Sequence, residues 1–116
     1  MTPHDDQTRE VRRDDGELIG VVRRTATGLW TPCAVFGLPL AEARAEEAAT
    51  QYILDHGLGY LAERWEVREG DTWVTAQIIE ARPREVTVSF ADYGHPRLFN
   101  SRRTLQDPLP EQLRLA

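Results

Sequence analysis

Four large aromatic side chains and a neighbouring acid are the residues of this sequence best suited to chemistry. The aromatics are Trp65, Trp73, Phe90 and Tyr93, and Asp92 directly precedes the last of them. A cation held over an aromatic face gains ~0.5–2 kcal/mol, most when it is desolvated. Several such faces beside a carboxylate can therefore wall a weak, specific pocket for a quaternary ammonium or guanidinium group.

The same aromatics can equally form the core of a small domain, and strand parity divides them. Within the stretch 85–93, Phe90 alternates in step with two valines, which predicts an interior position. Trp73 lies on the same strand face as a threonine and a glutamine, which favours the solvent-facing side of the sheet. Tyr93 has the opposite parity to Phe90 unless the turn after it redirects the ring, and Trp65 fits either face. The residues alone are therefore consistent with both alternatives, a ligand-binding aromatic cage and a hydrophobic core.

Other catalytic or metal-binding arrangements find little support in the spacing. Cys33, His95 and Asp92 could supply a nucleophile, a base and an orienting acid. Cys33 lies in an apolar stretch, however, where free cysteine is usually an inert small hydrophobe. His4 falls in a polar terminus and His56 at the end of a helical pattern, and no histidine pair has a recognised ligand spacing. We therefore expect a non-enzymatic protein without metal or cofactor.

The charged residues restrict the class of partner. All 14 basic residues are arginine, which excludes lysine Schiff bases and the Gly-Lys-Ser/Thr phosphate loop. The net charge of −5 argues against a dedicated nucleic-acid binder, since binding to phosphates needs a basic face. Arginines cluster at 12–13, 23–24 and 102–103, so a nucleic-acid-associated regulatory protein that also stacks bases on exposed aromatics is the alternative.

Features of the termini and of the hydropathy predict a cytoplasmic protein without a membrane partner. No apolar run approaches the roughly 20 residues that span a bilayer. The charged start of the chain lacks the apolar stretch of a signal peptide. The single cysteine, Cys33, cannot form an internal disulfide, which agrees with a reducing compartment.

The chain of 116 residues predicts one domain between two tails. Residues 1–16 are polar and predict a mobile tail, and 107–116 predict a C-terminal tail or a single helical turn. The domain at 17–106 divides into a strand–strand–helix part at 17–57 and a β-meander at 60–106. Alternation and turn residues predict strands at 18–24, 29–36, 60–67, 72–81, 85–93 and 97–99, and an alanine-rich stripe predicts a helix at 40–56.

This order predicts an α+β fold. A β-hairpin and one helix precede a meander, whose strands pair antiparallel because short turns join them. The helix is expected to pack on one face of the sheet. An exposed edge strand could pair two copies of the chain, so a homodimer is one expected partner state.

The stretch 63–105 resembles a Tudor domain, a small SH3-like barrel. The likeness lies in Trp65, in the stretch 70–78 that contains Trp73, and in the stretch 86–95 that contains Phe90 and Tyr93. The resemblance implies a cage of these four aromatics that holds methylated arginine or lysine. The sequence departs from the family at His95, where an asparagine usually contacts the ligand.

These observations together favour an interaction module for a protein or peptide partner. Its candidate ligand site consists of the four aromatics with Asp92 and His95, and a cationic side chain is the expected ligand.

Overall fold

The computed structural model describes residues 7–116, so residues 1–6 of the predicted tail lie outside the described part. Two antiparallel sheets and one helix make up this part of the chain, which confirms the predicted α+β class. In chain order the elements are β1 Thr8–Arg12, β2 Leu18–Arg24, β3 Trp30–Cys33, α1 Glu46–His56, β4 Trp65–Glu69, β5 Thr72–Arg82, β6 Glu85–Phe90, β7 Arg102–Gln106 and β8 Leu113–Leu115. A 3₁₀ turn at Gly59–Ala62 precedes β4.

The first sheet has the order β1-β2-β3 and carries the helix on one face. Gly20 of β2 permits this packing, because a Cβ there would lie 2.8 Å from the Cys33 carbonyl oxygen and 2.8 Å from Ile53 Cγ2. The small side chain of Ala49 and the branched Ile53 are both buried against the strands. Small residues therefore bring α1 close to the sheet.

The prediction of a mobile tail is wrong for Thr8–Arg12. These residues form β1, which pairs with β2 and buries Val11 to 5% exposure. Arg9 lies 5.3 Å from the Trp30 ring and pairs with Glu46 of the helix at 3.1 Å. Polar composition suggested disorder, but backbone pairing with β2 supplies the hydrogen bonds that the segment lacks on its own.

The helix begins at Glu46, six residues later than predicted. The preceding segment instead forms isolated bridges with β3: the Trp30 N–H donates to the Arg44 carbonyl at 2.6 Å, and the Arg44 N–H donates back at 2.8 Å. This non-local pairing outweighs the local helix preference. In the same part of the chain, the strand predicted to reach residue 36 ends at Cys33, because the chain turns at residues 35–36.

The second sheet has the order β7-β6-β5-β4-β8 and encloses the larger apolar cluster. Trp65, Val67, Val74 and Phe90 are almost fully buried on its inner face. The ring of Phe36 meets Trp65 edge-to-face at 6.0 Å, so the loop after β3 seals this cluster. Phe90 is thus a core residue, as its parity predicted.

Three predictions for the second half of the chain need correction. The strand predicted at 60–67 begins only at Trp65, because Gly59–Ala62 form the 3₁₀ turn. Residues 97–99 lie in a turn, and the next strand is Arg102–Gln106. The predicted C-terminal tail contains β8, whose Leu113 is fully buried opposite Val67 of β4. Both ends of the described chain are thereby ordered by strand pairing, β1 with the next strand β2 and β8 with β4, which is distant in sequence.

Tyr60 connects the two sheets. Its hydroxyl donates to the Ile19 carbonyl at 3.1 Å and accepts from the Val35 N–H at 3.0 Å, and burial raises the pKa of this phenol. Leu40 and Leu58 pack against both apolar clusters. Among residues 7–116, no helix is long and apolar enough to cross a membrane.

Candidate functional site

The predicted aromatic cage does not assemble, because two of its walls are in the core. Trp65 is 0% exposed and its Nε1–H donates to the Tyr60 carbonyl at 2.8 Å. Phe90 is 1% exposed on the same inner face. Neither ring has a face open to a ligand, so Trp65 and Phe90 leave the set of candidate cage residues.

Trp73 lies on the outer face of the second sheet, away from the core. The guanidinium of Arg114 sits 3.9 Å from the centre of its ring, and Arg114 also donates to Glu66 at 2.8 Å. The chain therefore places one of its own cations on this ring. Parity correctly predicted that Trp73 lies on the outer face. The contact with Arg114 was not predicted, because the sequence did not indicate the strand β8 that carries this arginine.

Tyr93 is the most exposed of the predicted aromatics, at 83%. It lies in the loop between β6 and β7, and its ring stacks on Phe99 at 4.6 Å with an interplanar angle of 27°. Asp92 accepts a hydrogen bond from the Gly94 N–H at 2.8 Å, which closes a tight turn around Tyr93. The strand predicted to reach residue 93 ends at Phe90, and the Tyr93 ring lies in solvent, as its parity opposite to Phe90 favoured.

His95 belongs to a different neighbourhood, next to Glu69 at the end of β4. The hydrogen bond from Arg103 and the charge of Arg103, with a smaller contribution from His95, hold the pKa of Glu69 below its ordinary value. Arg103 donates to both Glu69 oxygens, at 2.7 and 3.3 Å, and lies 4.9 Å from the Phe90 ring. This ion pair joins β7 to β4 although β5 and β6 lie between them in the sheet, so the sheet is strongly curled.

An open groove of about 820 Å³ runs along the rim of this curled sheet. Its walls are the segment 61–64, which leads into β4, and the segment 91–93, which follows β6. Its floor is formed by β5 at Thr75, Gln77 and Ile78. Of the predicted site residues, the groove gathers Asp92 and Tyr93.

Two charged residues of the groove were not predicted from the sequence. Glu63 and Arg64 line the wall that faces Asp92 and Tyr93. Nothing in the local pattern marked them, since they are ordinary polar residues before a strand. They reach the site because Trp65 pairs with Ala76 on one side of β5, while the Ala91 N–H donates to the Thr75 carbonyl at 2.9 Å on the other. The groove thus holds two carboxylates, one guanidinium and one exposed aromatic ring, which suits a cationic ligand.

A second, more apolar cavity of about 360 Å³ lies between the helix end and the C-terminus. His56 and Tyr52 line it, but their rings stack at 4.0 Å and His56 Nδ1 bonds the Tyr52 carbonyl at 2.8 Å. These contacts give both side chains a structural role within α1.

The structure offers no support for the cysteine mechanism. Cys33 is buried in β3, and burial raises the pKa of its thiol to about 11, against a smaller opposing effect of Arg23. Asp92 and His95 belong to the other sheet and its loops. A protonated, buried thiol is a poor nucleophile. Within residues 7–116 there is no group of three or more potential metal-ligating side chains.

Three of the six arginines in the predicted clusters form ion pairs with acids of the chain. Arg12 pairs with Glu10 at 2.9 Å, and Arg13 pairs with Glu17. Arg103 is held by Glu69. These pairs reduce the positive field that nucleic-acid phosphates would require.

Comparisons of the sequence with protein-family models and with curated proteins, and of the structure with solved structures, find no match.

Proposed function

We propose that this chain is a non-enzymatic interaction module that binds a protein or peptide partner through a cationic side chain of that partner. The cation enters the groove beside Tyr93. The observation that carries the proposal is the position of this exposed ring at an open groove, with Asp92 next to it and Glu63 on the opposite wall.

The electrostatics of the groove support a cation over an anion or a neutral group. Glu63 and Asp92 contribute two negative charges against the single positive charge of Arg64. The whole chain carries a net charge of −5, which attracts a basic segment during encounter. Stacking on Phe99 holds the Tyr93 ring in place, so little ordering is left for the ligand to induce.

The resemblance to Tudor domains supports the same ligand class and suggests methylated arginine or lysine. In this proposal a single aromatic wall with two carboxylates replaces the four-walled cage. Methylation spreads and desolvates the charge, which strengthens the attraction to an aromatic face. The expected affinity is weak, because only one ring contributes directly.

A titration followed by NMR tests the proposal. Isotope-labelled protein is titrated with short peptides that carry one dimethylarginine, one trimethyllysine or one unmodified arginine. We expect the amide signals of 61–64 and 91–93 to shift together, more strongly with the methylated peptides. Unchanged signals in both segments at millimolar peptide would remove the proposal.

Two substitutions separate the ring from the charge. Tyr93→Ala removes the aromatic face and should weaken binding about 2- to 30-fold, the equivalent of ~0.5–2 kcal/mol. Asp92→Asn keeps the oxygen that accepts from Gly94 but removes the charge, and should weaken binding more at low salt than at high salt. Leu29→Ala is the control, since Leu29 is also exposed but lies beside the first sheet.

A further inference from the structure

We propose that the partner is an extended basic peptide and that the protein holds its backbone as an added β-strand on the free edge of β5. The free edge is defined as residues Ile78–Arg82 on the side of β5 that faces β4. The inference rests on the proposed function, because the same peptide places its cationic side chain in the groove.

The free edge arises from the unequal lengths of the strands. β5 has 11 residues and β4 has 5, so β4 pairs only with Thr72–Ala76. On its other side β5 is paired with β6 as far as Arg82. Among residues 7–116, no strand pairs with Ile78–Arg82 on the β4 side, and no backbone hydrogen bond reaches these residues from outside the β5–β6 hairpin. The 3₁₀ turn Gly59–Ala62 also packs against β5, so the part of this edge that the turn leaves uncovered is the template for another strand.

The side chains of the free edge present an apolar contact beside these backbone groups. Ile79 is 44% exposed, so part of its side chain is available for an apolar contact. Ile78 and Ala81 are half-buried against the core of the second sheet. An added strand would cover Ile79 and would extend the sheet over a surface that is already partly apolar.

The free edge is continuous with the groove. Gln77 and Ile78 form part of the groove floor, and the edge begins at these residues. A strand added there sends alternate side chains to the same face of the sheet, about 7 Å apart along the strand. One side chain of such a peptide can therefore reach Asp92 and Tyr93 while its backbone pairs with β5.

The charge of the chain favours a basic peptide over a second copy. β5 has a bulge between Ile78 and Glu80, and Glu80 pairs with Arg82 at 2.9 Å along the edge. Bulges and edge charges limit the pairing of this edge with any strand, so an added strand needs an anchor outside the edge. Two copies would each bring a net charge of −5, whereas a basic peptide is attracted and is anchored by the groove.

The test uses the full chain and a displayed library of random peptides with one fixed central arginine. The strongest binder is resynthesised in two versions, which carry N-methyl groups on the odd or on the even backbone amides. A strand donates to its neighbour through alternate residues. We expect one version to bind about fivefold more weakly per lost hydrogen bond and the other to bind almost as well as the parent.

Hydrogen exchange supplies a second readout. Binding of the parent peptide should slow exchange at least tenfold at those amides of Ile78–Arg82 that do not donate to β6, while exchange in β8 should not change. Equal affinities of the two N-methylated versions, with unchanged exchange at these amides, would overturn the inference. Slow exchange of the same amides in the free protein would also overturn it, since the edge would then already be covered.

Substitution in the groove distinguishes this inference from the proposed function. If the NMR signals of the groove shift but amide exchange at the free edge does not slow, the proposed function stands and only the added strand is ruled out. Protection at the edge that survives both Asp92→Asn and Tyr93→Ala would support the added strand and would contradict a cation in the groove.

Discussion

At the scale of single residues, hydrogen bonds decide which side chains face a ligand. The turn closed by Asp92 leaves Tyr93 exposed, whereas Trp65 is held inside by its bond to the Tyr60 carbonyl. Parity placed Phe90 and Trp73 correctly because both lie within regular strands, and it also favoured the exposed position of Tyr93, which lies beyond the last residue of β6. It could not predict the cation from β8 on Trp73.

The Tyr60 hydroxyl is expected to be worth more than an ordinary surface hydroxyl. Tyr60→Phe leaves the Ile19 carbonyl and the Val35 N–H without their buried partner. We expect the free energy of unfolding to fall by ~1–3 kcal/mol, measured by urea denaturation. Tyr93→Phe is the matched control, since that ring is exposed, and should change stability by less than ~0.5 kcal/mol. Equal effects of the two substitutions would refute this role.

Glu69 should show a pH dependence that belongs to its ion pair with Arg103. The pKa of Glu69 lies below its ordinary value in the folded protein, so the pair stabilises the fold above the unfolded pKa. This contribution is lost as the pH falls through the folded pKa. An NMR titration should find that Arg103→Gln raises the pKa of Glu69, while Arg102→Gln does not. If the pKa of Glu69 did not change in Arg103→Gln, the ion pair with Arg103 would not be the cause of the lowered pKa.

At the scale of elements, local pattern was sufficient for some segments and insufficient for others. β5 and β6 followed from alternation and β2 from a short apolar run, since each has enough β-branched or aromatic residues to mark a strand. β1 is polar and β8 has only three residues, and both are strands because β2 and β4 offer them backbone partners. The groove combines segments 61–64 and 91–93, which lie on the two sides of β5 because β4 and β6 both pair with it, and the sequence indicated only the second of these walls.

The contact of α1 with the first sheet depends on Gly20. Gly20→Ala places a Cβ 2.8 Å from a backbone oxygen of β3, which cannot move as a flexible side chain can. We expect a loss of ~1–3 kcal/mol of stability from this overpacking, measured by thermal or urea denaturation.

Gly59→Ala is the matched control for this contact. A Cβ at Gly59 meets nothing within 4 Å, so its effect should stay below ~0.5 kcal/mol. If Gly20→Ala were as mild as Gly59→Ala, the close approach of the helix would not be needed.

At the scale of the whole molecule, the two sheets share parts of their cores. Phe36 contacts Tyr60 at 6.3 Å and Trp65 at 6.0 Å, edge-to-face in both cases. Leu40 and Leu58 pack against both apolar clusters, and the Tyr60 hydroxyl bonds the first sheet from the 3₁₀ turn. Separation of the sheets would expose these apolar surfaces and would break buried hydrogen bonds, so neither sheet is expected to unfold alone.

This coupling predicts one cooperative unfolding transition, which fluorotryptophan NMR can resolve by residue. Trp30 reports on the first sheet, where it is 7% exposed, and Trp65 reports on the core of the second. Their native signals should disappear at the same urea concentration, because a small single domain unfolds without populated intermediates. Tyr60→Phe should move both midpoints together. Separate midpoints would show that the sheets are independent units, and the groove and the free edge of β5 would then depend on the second sheet alone.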